Sequence, residues 1–234
     1  MSAIPCHGRT QLGTQPFGSL DLLVRAPVLI PRPETEDWTL RLADLLRSCI
    51  QEQGYDGARS FNVLDLCTGT GCIPLLLAST LPKGSVRALG VDINPQAVGL
   101  ASENARLCAL SDVATFEERD LFASDDFEPA DVLTANPPYI PGAEYAVLPR
   151  SVLVFEDRGA LLGDDGAGLR FYPRIASMLP RWVKPGGIAA VEVGKGQSDA
   201  VRDIFLSHCG DTVERVEVWD DPWGVPRTVV TFLR

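Results

Sequence analysis

The chain has 234 residues, 45% hydrophobic and 22% charged, the balance of a soluble globular protein with one large domain or one plus a small appendage. Its formal net charge is −10, from 21 Lys+Arg against 31 Asp+Glu with no basic run, which disfavours general polyanion binding. Six scattered cysteines without Cys-x-x-Cys spacing and only two histidines speak against a metal site and a disulfide scaffold, and no apolar run reaches the roughly 20 residues of a membrane span.

In chain order, residues 1–15 are polar with scattered Gly and Pro, and are expected to be poorly ordered and free of a targeting peptide. Two apolar runs, Leu20 to Val24 and Val28 to Ile30, predict a β-hairpin within residues 16–32. Pro31-Arg32-Pro33-Glu34-Thr35-Glu36 then opens a helix, with acids in the first turn and Trp38, Leu42, Leu45, Leu46 and Cys49 at helical spacing. Gln51 to Ser60 reads as a linker, with the one plausible boundary near Gly54.

From Phe61 onward short apolar runs alternate with helical ones, the pattern of a parallel sheet with crossover helices. Strands are expected at 62–66, 86–91, 115–118, 132–135 and 188–193, and helices at 73–80, 96–107, 169–182 and 198–206. Residues 213–218 and 228–232 follow with no helix between them and predict a terminal antiparallel pair.

Val63-Leu64-Asp65-Leu66-Cys67-Thr68-Gly69-Thr70-Gly71 is a strand running into a tight glycine turn and then a helix, whose free N–H groups face a ligand. Asp92 ends the next strand about 20 residues past Gly71, the position that holds a ribose hydroxyl in nucleotide-binding sheets. No third glycine follows Gly71 and there is no Gly-Lys-Ser/Thr, so a phosphate-bearing dinucleotide fits less well than S-adenosylmethionine, whose cationic sulfonium suits Asp65. Asp120 can accept from an adenine amino group while Leu121 and Phe122 wall the ring; a simple strand-ending Asp fits the spacing equally.

Asp131-Val132-Leu133 leads into Thr134-Ala135-Asn136-Pro137-Pro138-Tyr139-Ile140, where two prolines forbid both ladder and helix. Asn136 and Pro137 can then offer carbonyl acceptors, and Tyr139 a flat ring, to a planar amide or amine. An ordinary Asn-Pro turn closing a strand is the plain alternative.

With these parts, the sequence resembles the HemK/PrmC family of peptide chain release factor glutamine methyltransferases, from about Leu12 to the C-terminus. The segments that carry the resemblance are Leu29 to Glu36, Leu64 to Gly71 and Asn136 to Ile140, with Phe155-Glu156, Ala160-Leu161 and Gly163 to Gly166 resembling the segment after the family's catalytic loop. It implies a class I, Rossmann-like methyltransferase fold: a mostly parallel seven-stranded sheet with an antiparallel C-terminal strand, preceded by the hairpin, with the methyltransferase domain at 33–234. It also implies S-adenosylmethionine as cofactor, leaving S-adenosylhomocysteine, and methylation of the glutamine in a release factor's Gly-Gly-Gln motif.

Position by position, the resemblance implies that Cys67, Thr68, Gly69, Thr70 and Gly71 wrap the methionine part. Asp92 with Ile93 takes the ribose, and Leu121 lies by the adenine. Asn136, Pro137, Pro138 and Tyr139 bind the glutamine amide, Asn136 facing the cofactor as well, and Arg32 and Glu34 join the substrate side. The chain departs from the family in lacking the usual N-terminal helical domain, as if truncated, and in carrying Asp157 where proline usually follows Phe-Glu. Its ending, Trp219 to Arg227, looks like fungal, mitochondrial-type members, which implies a mitochondrial matrix location with the cytoplasm as alternative. A monomer without direct nucleic-acid or membrane binding is expected. Three rival readings remain: a methyltransferase of exocyclic amines on nucleic-acid bases, which shares Asn-Pro-Pro-Tyr; a dinucleotide oxidoreductase, which would not explain that motif; and a non-catalytic cofactor-binding partner.

Overall fold

The computed structural model describes residues 13–52, 60–124 and 126–234. The expected boundary near Gly54 and most of the segment before the hairpin lie outside them.

Strands β1 (Thr14–Phe17) and β2 (Leu20–Leu23) form an antiparallel hairpin around Gly18, whose φ of 57° suits a two-residue loop. This corrects the expected hairpin, which used Leu20–Val24 and Val28–Ile30. Thr14-Gln15-Pro16-Phe17 is too polar to read as a strand, whereas Val28 and Ile30 are buried without entering a sheet. Val28 packs on Ala97 and Leu100.

Helix α1 (Pro33–Glu52) carries Glu34 and Glu36 in its first turn, where the helix dipole favours acids, and buries Trp38, Leu42, Leu46 and Ile50. The sheet then builds through β3 (Phe61–Leu66), α2 (Cys72–Thr80), β4 (Val86–Asp92), α3 (Pro95–Leu107), β5 (Ala114–Glu118) and β6 (Ala130–Ala135). A bridge of β7 (Ile140–Pro141) and β8 (Leu162–Asp164) encloses three short helices, α4 (Gly142–Tyr145), α5 (Arg150–Phe155) and α6 (Arg158–Leu161). The chain closes with α7 (Phe171–Trp182), β9 (Val183–Glu192), α8 (Ser198–Cys209), β10 (Val213–Asp220) and β11 (Pro226–Leu233).

The main sheet has seven strands in the order β10-β11-β9-β6-β3-β4-β5, parallel except for β11, which runs antiparallel to both neighbours. This is the expected sheet. β9 starts five residues before the expected 188, because Lys184-Pro185-Gly186-Gly187 reads as a turn but is taken up in an irregular strand start beside Ala130.

Central β3 buries Val63 to Leu66, as a strand covered on both faces must. One face packs on the hairpin, α1 and α2 through Phe17, Trp38, Leu42 and Leu75; the other packs on α7 and α8 through Tyr172, Ile175, Trp182 and Phe205. Chain order reverses direction across the sheet between β3 and β6. Their ends are in register, Leu66 opposite Ala135, so Cys67 and Asn136 leave the carboxyl edge side by side. Open α/β sheets bind ligands at that switch point.

Candidate active site

At the switch point lies a cavity of about 460 Å³. Its wall gathers Cys67, Gly69, Asp92, Ile93, Asp120, Leu121, Asn136 and Pro138 from the residues named by sequence. Asp65, Thr68, Thr70, Gly71, Pro137, Tyr139, Arg32 and Glu34 are not on that wall.

The turn after β3 is held from beneath. Asp65 is fully buried and accepts from the hydroxyls of Thr68 and Thr134, both at 2.6 Å. Burial outweighs these bonds and pushes its carboxyl up to about 7. Asp65 therefore fastens the turn to β6, and both its oxygens are engaged in doing so. Cys67 sits at φ 57°, a strained position for a residue with a side chain, and desolvation together with the charges of Asp92 and Asp65 raises its thiol well above the ordinary value. Gly69 lines the cavity at φ 55°, and a Cβ built on it meets nothing within 4 Å. Gly71 caps α2 at φ 77°, where a Cβ would come within 2.8 Å of the Phe116 ring.

Asp92 accepts from the backbone N–H of Gly69 and of Asn94, each at 2.9 Å. Burial raises its pKa against those bonds, and the charge of Asp157 adds to the rise. At the far end Asp120, Leu121, Phe122 and Phe171 make a mixed polar and aromatic wall, with the two rings 5.3 Å apart edge to face and Arg170 over Phe122. The cavity thus pairs a carboxylate at mid-wall with a second carboxylate beside an aromatic slot. Those groups fit the hydroxyls and base of an adenosine-bearing ligand, and the open space at Gly69 lets one approach the backbone.

Asn136 stands at the other end. Its Nδ2 donates to Thr35 Oγ1 at 3.1 Å, and that hydroxyl donates to Glu192 Oε2 at 2.6 Å. Trp38 Nε1 donates to the same carboxylate oxygen at 2.9 Å, and the Tyr139 hydroxyl donates to Oε1 at 3.2 Å. Glu192 is 1% exposed; burial raises its pKa, while those three bonds and the nearby Arg227 charge lower it. The Arg32 guanidinium grips Glu156 at 2.6 Å rather than facing the cavity. Asp157 caps α6, accepts from Asn94 Nδ2 at 2.9 Å, and donates its N–H to the Pro27 carbonyl at 2.7 Å.

A family model described as methyltransferase small domain matches residues 42–162. A release factor glutamine methyltransferase of Geobacter sulfurreducens is 37% identical over 194 residues, 83% of this chain and 63% of that one. Another of the same name, from Gloeobacter violaceus, is 36% identical over 223 residues, covering 94% of this chain and 72% of its own length. The chain belongs to the release factor glutamine methyltransferase family. It spans less than two thirds of the Geobacter relative. Among solved structures, the release-factor-specific protein-(glutamine-N5) methyltransferase of Alicyclobacillus acidocaldarius superposes with a TM-score of 0.53 at 24% identity over 88% of this chain and 94% of that one, a likeness of fold.

Within this family member, sequence reasoning missed Glu192, Asn94 and Asp157. Asn94 shows in the sequence only as the cap of α3, which it is, accepting from Gln96 N. Asp157 stands out only as a departure from proline. Glu192 gave no signal, because a Glu ending an apolar strand looks like a solvated terminus.

Proposed function

We propose that the chain transfers a methyl group from S-adenosylmethionine to the side-chain amide nitrogen of the glutamine in a release factor's Gly-Gly-Gln motif. The observation that carries this reading is the emergence of Asn136-Pro137-Pro138 beside the Cys67–Gly71 turn, with the Asn136 amide held by Thr35. Asp92, Asp120, Leu121 and the backbone at Cys67 and Gly69 would hold the cofactor, which supplies an electrophilic methyl group on a sulfonium.

The chain's own task is to make a poor nucleophile competent, since an amide nitrogen delocalises its lone pair into the carbonyl. Asn136 Oδ1 and the Pro137 carbonyl accept the two N–H bonds of the substrate amide, and Tyr139 packs along its plane. The lone pair is thereby turned toward the cavity. Positioning of this kind contributes several kcal/mol, and acceptors that strengthen as positive charge grows on nitrogen add an electrostatic contribution. No base is needed beforehand, because the amide proton becomes far more acidic once the nitrogen carries charge.

On the same reading the chain is a monomer that serves translation termination in the mitochondrial matrix, acting on protein without binding nucleic acid directly. Among the described residues no helix is long and apolar enough to cross a membrane. The test is transfer of labelled methyl from S-adenosylmethionine to a purified release factor, beside the same factor with its Gly-Gly-Gln glutamine replaced. Label on the unaltered factor alone is expected; label on both, or only on nucleic acid, overturns the reading.

A further inference from the structure

We infer that Thr35 and Glu192 are positioning residues that set the polarity of the Asn136 side-chain amide, so that its carbonyl rather than its NH2 meets the substrate. The inference rests on the glutamine-amide reading above.

The argument is one of donors and acceptors. Three donors converge on Glu192: the Thr35 hydroxyl and Trp38 Nε1 on Oε2, and the Tyr139 hydroxyl on Oε1. Trp38 Nε1 can only donate, which makes Oε2 an acceptor, and the single Thr35 proton is committed to that same oxygen. Thr35 Oγ1 then has only lone pairs left for Asn136, which must present Nδ2, as it does at 3.1 Å. With Nδ2 engaged, Oδ1 is the group left to accept from a ligand. An amide turned the other way would offer N–H to the N–H of a substrate amide and repel it. Without an acceptor beneath it, the Thr35 hydroxyl could donate to Oδ1 and allow that reversal. Thr35 is 2% exposed, and its backbone carbonyl accepts from the Thr39 hydroxyl one turn on at 2.6 Å. The device is therefore fixed by α1 and β9, and reaches Asn136 just past the end of β6. Its parts lie 101 and 157 residues apart from Thr35 in sequence.

The decisive variant is Thr35→Val, which keeps the volume and removes the hydroxyl, with Thr35→Ser restoring it. Glu192→Leu is a poorer probe alone, because it also strips Trp38 and Tyr139 of their acceptor; Glu192→Gln keeps a carbonyl for Thr35 and Trp38 and an NH2 that Tyr139 can accept. Two readouts are needed. In nitrogen-15 NMR of the chain with S-adenosylhomocysteine added, one Nδ2 proton of Asn136 is expected to be protected from exchange in the native chain, Thr35→Ser and Glu192→Gln, and to lose protection in Thr35→Val. In the methyl-transfer assay, kcat of Thr35→Val is expected to fall about 100-fold, the cost typical of a misplaced reacting group, with Thr35→Ser and Glu192→Gln recovering most of it and cofactor affinity unchanged. Protection retained in Thr35→Val, or failure of Thr35→Ser to restore it, overturns the inference. A native chain that labels no release factor defeats the proposed function instead, and the exchange measurement still decides whether Thr35 sets the amide.

Discussion

Asn136 and Asp65 occupy adjoining strand ends yet carry opposite duties. Asn136 is half-buried with one side of its amide tied to Thr35, and on the proposed function its other side serves the reaction. Asn136→Ala is expected to lower kcat by about 100-fold or more, the usual cost of deleting a preorganised transition-state contact, while calorimetry shows S-adenosylhomocysteine binding largely retained. Asp65 instead bears on stability. Its carboxyl is raised from 3.8 to about 7 by burial, so the folded chain binds more protons there than the unfolded one. Its contribution is fully present below pH 3.8 and declines as pH rises toward about 7. Urea unfolding of the native chain and Asp65→Asn at pH 5 and pH 8 should show the native chain losing ground to the variant at the higher pH, by a few kcal/mol at most.

At the scale of elements, the β3–α2 turn shows how two neighbouring glycines differ. Both have positive φ, but Gly69 faces open space and Gly71 faces Phe116 and Ala101, with distances of 2.8 and 3.1 Å from a built Cβ. Gly69→Ala should cost about 1 kcal/mol or a little more, the backbone penalty alone. Gly71→Ala adds a clash with the Phe116 ring and with Ala101 of the helix behind the turn and should lose about 1–3 kcal/mol further; thermal unfolding of the two variants tests the order. Asn104 on α3 does comparable work: fully buried, it pairs with Leu23 N and O and donates to the Thr70 carbonyl at 3.0 Å, so the hairpin and the turn share one side chain.

Across the whole molecule, the cavity is closed by segments far apart in the chain. Residues 27–32 meet 156–157 through Arg32–Glu156 and the Asp157 N–H on Pro27, and Asn94 joins them from α3. The Glu156 side chain is 2% exposed, so Arg32→Ala leaves a buried carboxylate without that partner and should destabilise the fold by about 3 kcal/mol in urea titration. A ligand that fills the cavity ties these segments together. S-adenosylhomocysteine at 100 times its Kd should stabilise the chain by about 2.7 kcal/mol, a rise of about 5–10 °C in Tm for a domain of this size. Asp92→Ala should largely abolish that rise, whatever its own Tm.

What the sequence determined by itself was whatever is local: the alternation of strands and helices from Phe61 onward, the glycine turn, the acid ending β4, and the proline pair ending β6. Hydrophobic period and backbone restriction act over a few residues and are written in order along the chain. The hairpin was misplaced because its pairing depends on a core contact, Phe17 and Leu22 against α1 and α2, rather than on its own apolar content. Only the tertiary structure decided which named residues face the cavity and which, such as Asp65, hold the turn beneath it. Only it revealed Glu192, since a carboxylate's worth there comes from Thr35, Trp38 and Tyr139 converging on one buried point, and hydrogen-bond direction between residues so distant in sequence leaves no periodic trace.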